Sequence, residues 1–191
     1  MKRFALLFSF IFSGYIFAAT EVTDMSGRKI TLPEKIEKSF ASAPPMGLLS
    51  YILAPETMTA MNLPLDSNFY FKDTKYLNPS LKKLPVVGGW HGNSKGANME
   101  TLLSLKPQVI LAWKSDFVMK EVEKTFAKFN IPVFFIQEDL VEDEPNAIRA
   151  AGVALKKEAR AEMLAKDAET RLAYIAKIRD GIPKEKRDRK S

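Results

Sequence analysis

One histidine, two tryptophans and no cysteine restrict the chemistry open to this 191-residue chain. His91 stands in GGWHG (residues 88–92), beside Trp90, and the flanking glycines would let it project from a turn. From there its imidazole could coordinate a metal already held by another chelator. It could equally be a solvent-exposed loop residue, and alone it cannot build a closed metal site, which takes roughly three or four protein ligands. Trp113 closes the apolar run QVILAW (residues 108–113). Aromatic faces suit flat or bulky ligands such as chelates and macrocycles. Either indole could also simply pack under a neighbouring loop.

An enzyme finds little to work with. There is no glycine-rich phosphate loop with its lysine and no serine elbow. Without cysteine and with a single histidine, thiol or imidazole nucleophilic catalysis and zinc hydrolysis are poorly supplied. The carboxylates Glu138 and Asp139, and Glu142, Asp143 and Glu144, read as a solvated loop and a helix start, where acidic side chains complement the helix dipole.

The elements that must position these residues alternate. Glu21–Met25 and Lys29–Leu32 flank the turn Ser26-Gly27-Arg28 and predict a hairpin. Ser39–Ala43 predicts a strand that stops at Pro44 and Pro45, Met46–Leu53 a helix, and Thr57–Met61 a further strand. Asn62–Pro85 is a long connection carrying Phe69, Tyr70, Phe71 and Tyr76, and connections of that length are usually functional or mobile. Asn98 is an N-cap candidate for a helix Met99–Lys106 that ends at Pro107. Gln108–Trp113 predicts a strand, Phe117–Phe129 a helix and Val133–Ile136 a buried strand, followed by helices Ala147–Leu155 and Glu158–Arg179. Short apolar strands alternating with helices predict a parallel α/β sheet. Ligands of such sheets sit beyond the carboxyl ends of the strands. That nominates the loops 43–47 (with Pro45 and Met46), 62–66, 88–93, 113–116 and 137–140.

The start of the chain pairs Lys2 and Arg3 with an apolar run from Phe4 to about Phe17 and the small Ala18 and Ala19, the pattern of a secretory signal over residues 1–19. Export is therefore expected, with stability resting on core packing and, for want of a cysteine, no lipid anchor. The formal charge of +6 sits at the ends: residues 177–191 hold seven basic and three acidic side chains. A neutral body with a basic tail does not read as a nucleic-acid-binding face.

These residues resemble a known family, the metal-chelate-binding proteins of ABC importers that take up ferric siderophores, haem, cobalamin and related complexes. The resemblance is carried by VTDMSGRKITLP (22–33), by GGWHG followed by NMETLLSLKPQVILAW, by FNIPVFFI (129–136) and by AIRAAGVALKKEARAEML (147–164). It implies a bilobed protein whose two α/β lobes are joined by a long helix, with the chelate held in the cleft between them. On that reading residues 20–145 are the N-terminal lobe, 146–181 the interlobe helices and 182–191 a basic tail where relatives continue into a second lobe. The chain is thus expected to be a truncated, monomeric, periplasmic binding protein with no catalysis and no resident cofactor. Its partners are a metal chelate, such as a ferric siderophore, haem, cobalamin or nickel complex, and an inner-membrane ABC permease. The resemblance places Trp90, Trp113, Pro45, Met46 and Tyr70 toward the ligand and gives His91 a metal-facing position that varies with the ligand. Glu100 matches the glutamate that docks onto an arginine cluster of the permease, although a first-turn glutamate also stabilises a helix unaided. The competing readings are a receptor for free zinc or manganese and an exported α/β enzyme.

Overall fold

The computed structural model describes residues 19–65, 77–91 and 96–183. The predicted hairpin is present: β1 (Ala19–Thr23) pairs antiparallel with β2 (Lys29–Pro33), and Gly27 takes the positive φ of 82° that the turn requires. It is tied to the body through Met25, whose N–H donates to the Phe135 carbonyl at 3.1 Å.

The central sheet is parallel and three-stranded. Its strands are β3 (Ser39–Ala41), then β6 (Val109–Trp113) in the middle, then β7 (Val133–Ile136), with Ala41 opposite Leu111 and Trp113 opposite Ile136. Two short strands, β4 (Gly88–Gly89) and β5 (Gly96–Ala97), form a separate antiparallel pair. Thr57–Met61 is not a strand. Thr57 closes a 3-10 turn, and only Met58 and Met61 make single parallel bridges, to Ser39 and Val86.

Strand alternation divides the interior into two layers. Val109 and Leu111 of β6 face a core shared with Phe134, Ile136, Leu49 and Leu155; Ile110 and Ala112 face one built on Phe40, Phe135, Val122 and Phe126. The first layer is covered by α1 (Pro44–Leu53) and α4 (Glu144–Leu155), the second by α3 (Asp116–Ala127). Pro44 and Pro45 do not precede α1 but form its first turn, where a missing N–H leaves no helical bond unmade. The helix α2 (Met99–Ser104) is capped by Asn98, whose side chain accepts from the Thr101 N–H at 3.1 Å, and it ends two residues earlier than predicted because Lys106 turns to a φ of 55°.

Lys156 adopts a left-handed φ of 57° after α4, and Lys157 donates back to the Gly152 carbonyl at 2.8 Å, a closure that reverses the chain into α5 (Glu158–Asp180). Gly152 lies against Ala161 so closely that a Cβ there would collide with the alanine's own. Among the described residues no helix is long and apolar enough to cross a membrane.

Candidate functional site

The carboxyl ends of β3, β4, β6 and β7 converge on one edge of the body, and each strand end carries something distinctive. After β3 comes Ser42, fully buried, whose N–H donates to the Leu111 carbonyl at 2.8 Å and whose carbonyl accepts from the Trp90 N–H at 2.7 Å. That second bond anchors the β4 turn onto β3. Asn62 reinforces it, its Nδ2 donating to the carbonyls of Ala41 (2.8 Å) and Gly88 (3.0 Å). Gly89 is a steric requirement of this corner, since a Cβ there would run into the Ser42 carbonyl oxygen and the Asn62 amide.

Trp90 is buried, 8% exposed, and meets Phe126 of α3 edge-on, with ring centroids 5.5 Å apart at 61°. Gly96 passes against its indole, and a Cβ there would stand 3.4 Å from the ring. His91 is half-buried, and its Nδ1 is buried with no hydrogen-bond partner among the described residues. Burial holds the imidazole pKa below its ordinary value, so at neutral pH it is uncharged, the form that can bind a metal.

Trp113 ends β6 half-buried against the α1 and α4 layer, the opposite face of the sheet from Trp90. Its Nε1 is also buried without a partner among the described residues. The loops after β6 and β7 are joined by the Lys114 N–H to the Ile136 carbonyl (2.7 Å) and by Lys114 Nζ to Gln137 Oε1 (2.8 Å). Next along lies Glu138, which differs from the solvated loop residue expected: its Oε2 is buried and has no partner among the described residues, whereas Asp139 is exposed. Desolvation, and then the nearby Glu144 charge, push the Glu138 carboxyl pKa upward.

Of the remaining candidates, Met46 is wholly buried in the α1 core, Pro45 is exposed at the start of α1, and Glu100 is exposed in the first turn of α2. Tyr70 lies outside the described residues. A mostly apolar cavity of about 170 Å³ adjoins the edge, between α1 and the 58–65 segment, lined by Tyr51, Met61, Leu63, Leu77 and Leu81. Neither tryptophan nor His91 lines it. Strand-end logic found the loops holding Ser42, Asn62 and Glu138 or their immediate neighbours, but no pattern in the sequence marked those side chains.

Four buried polar atoms thus lack partners among the described residues: Ser42 Oγ, His91 Nδ1, Trp113 Nε1 and Glu138 Oε2. All four belong to residues at or just beyond strand carboxyl ends. Among the described residues no three His, Cys, Asp or Glu side chains gather to hold a bare ion. The fold is a single α/β lobe built on a parallel sheet, in keeping with the resemblance to the chelate-binding proteins of ABC importers.

The chain is similar to vitamin B12-binding proteins of Pectobacterium atrosepticum, 31% identical over 97 residues, and Pectobacterium carotovorum, 29% identical over 103 residues. Those matches cover 51% and 54% of this chain, and 33% and 36% of the relatives, respectively. The solved structure of an ABC transporter solute binding protein from Sulfurospirillum deleyianum superposes with a TM-score of 0.79 at 31% identity, over 86% of this chain and 51% of that one. The chain therefore spans about a third of the curated relatives' length and about half of the solved protein's. No family model matches it.

Proposed function

We propose that this chain forms one wall of a periplasmic binding site for a metal chelate, delivered to an ABC permease, and that it does no catalysis. The observation that carries this reading is the strand-end edge that holds the half-buried Trp113 and His91, on a lobe similar to vitamin B12-binding proteins. In this reading the chelate brings its own metal, Trp113 and the edge of Trp90 supply apolar contact, and neutral His91 is a single side-chain donor available toward the metal. Pro45, exposed at the start of α1, belongs to the surrounding wall, while Met46, wholly buried in the α1 core, supports that wall from behind; Glu100, exposed in the first turn of α2, is the docking contact for the permease. The rest of the cleft comes from a second lobe of the kind that a protein of the relatives' length would contain.

The test is calorimetric and fluorescence titration of the purified chain with cyanocobalamin, haem, a ferric catecholate siderophore and a nickel–histidine complex. Saturable quenching of tryptophan emission by one of them is expected. No response to any of the four overturns the reading.

A further inference from the structure

The cavity of about 170 Å³ between α1 and the 58–65 segment is distinct from the half-buried Trp113 and His91, neither of which lines it. Two of the loops at the strand carboxyl ends form its walls, Pro44 and Gly47 coming from one and Asn62 and Leu63 from the other. Among the described residues that line it none is charged, and most are apolar. The polar side chains among them are already engaged. Asn62 Nδ2 donates to the carbonyls of Ala41 and Gly88, and the Tyr51 phenol oxygen accepts from the Asn78 N–H at 3.2 Å. An occupant therefore gains from dispersion and from leaving water, with little to gain from charge. Leu48 lines the cavity and is also exposed, which marks the side on which it meets solvent.

Gly47 keeps this space open. It lies within α1, its N–H donating to the Ala43 carbonyl at 3.0 Å, at a position where alanine would hold the helix better. No close approach demands the glycine there, since a Cβ would meet only Asn62 Oδ1 at 3.5 Å, an ordinary contact. The fold thus forgoes a helix-favouring side chain, and the packing it would supply, at a residue that borders an apolar space. A cavity of about 150 Å³ with a lining of this kind stays dry and holds one benzene molecule. We propose that this cavity is a subsite for an uncharged apolar group the size of a benzene or toluene ring, either borne on the bound chelate or arriving as a free molecule. The subsite stands apart from the chelate reading, because its occupancy does not require that a chelate bind.

The experiment titrates the purified chain, its methionine methyl groups labelled with carbon-13, with toluene and with benzoate and benzylammonium, which carry the same ring and a charge. Met58 and Met61 line the cavity, whereas Met163 is exposed on α5 and serves as the control. Saturable shifts of the Met58 and Met61 signals by toluene are expected, with a Kd of roughly 1 mM or tighter and Met163 unmoved. The charged rings should bind at least about tenfold more weakly. G47A should weaken toluene binding about threefold and G47L about tenfold or more, because the added side chain takes the place of the ring. Circular dichroism checks that each variant is folded, and G47A decides the matter if G47L is not. Repeating the toluene titration in the presence of each of the four chelates separates the two sources. Competition assigns the ring to the chelate, and undiminished toluene binding assigns the cavity to a free molecule. No saturable shift at Met58 and Met61, shifts alike at all methionines, or unchanged binding in the folded Gly47 variants overturns the subsite and leaves the chelate reading standing. Failure of all four chelates with toluene still bound overturns that reading and leaves the subsite.

Discussion

The Asp24 carboxylate, with no side-chain exposure, grips the Arg28 guanidinium through Nε at 3.0 Å and Nη2 at 2.8 Å. It also accepts from Ser26 Oγ at 2.7 Å and from the N–H groups of Ser26, Arg28 and Phe135. Arg28 in turn reaches the Val133 carbonyl and Glu123 on α3, and stands 4.3 Å over the Phe135 ring. One buried carboxylate therefore joins the hairpin to β7 and α3. Burial alone would raise its pKa, but the hydrogen bonds from Ser26 and Arg28 and the Phe135 N–H outweigh burial and hold it below the ordinary value. A depressed carboxyl pKa contributes stability that is present above the unfolded-state value and lost as pH falls through the folded-state one. D24N should cost about 2–3 kcal/mol in urea unfolding at pH 7. The gap between the variant and the parent should narrow below about pH 4. Equal stability at pH 7 would show that the network is dispensable.

Gly89 and Asn62 set the position of Trp90. G89A should destabilise the chain by about 2 kcal/mol, since the atoms it meets are a backbone carbonyl and a hydrogen-bonded amide rather than a side chain free to move. The near-ultraviolet dichroism of Trp90 should change with it. A stable variant with an unaltered aromatic spectrum would mean that the corner relaxes.

Glu138 should be costly to the fold that carries it. Its carboxyl is raised by desolvation and then by Glu144, so the stability linked to its neutral form is complete at low pH and is lost as pH rises through the folded-state pKa. E138Q should therefore raise Tm at pH 7 by roughly 2 °C. That gain should disappear below the ordinary carboxyl range. A variant less stable than the parent at pH 7 contradicts this.

The contact of Gly152 with Ala161 predicts that G152V loosens α4 from α5. A loss of about 2–3 kcal/mol is expected, from overpacking where a Cβ has no room. The double variant G152V/A161G should recover part of it, and failure of any recovery would place the strain elsewhere.

Much of the fold was legible because its signals are local. The apolar runs before Trp113 and Ile136, the Ser26-Gly27-Arg28 turn and the Asn98 cap each follow from side-chain type and neighbours. Thr57–Met61 misled because a β-prone composition does not say whether a partner strand is adjacent, and only Met58 and Met61 find one. The prolines at 44 and 45 read as a stop to β3, yet they also open α1, since both roles demand the same fixed φ. At the site, the strand-end rule located the loops, but the burial of Glu138 and the support Asn62 gives to the β4 turn depend on packing between segments far apart in sequence. No spacing within either segment encodes that.

The helix α5 begins with Ala161 and Ala165 fully packed and continues with Ala168, Leu172 and Ala176 only half-covered, while Tyr174, Ile175 and Ile178 are 66%, 57% and 51% exposed. Grip on the body weakens along its length, although the backbone hydrogen bonding is continuous. Deuterium uptake should therefore report a gradient along one unbroken rod: amides near Ala161 exchanging only when the lobe as a whole opens, and those beyond Leu172 through inexpensive fraying of successive turns. Whatever rigidity this segment has beyond that point must be conferred by what it touches, not by the lobe from which it projects.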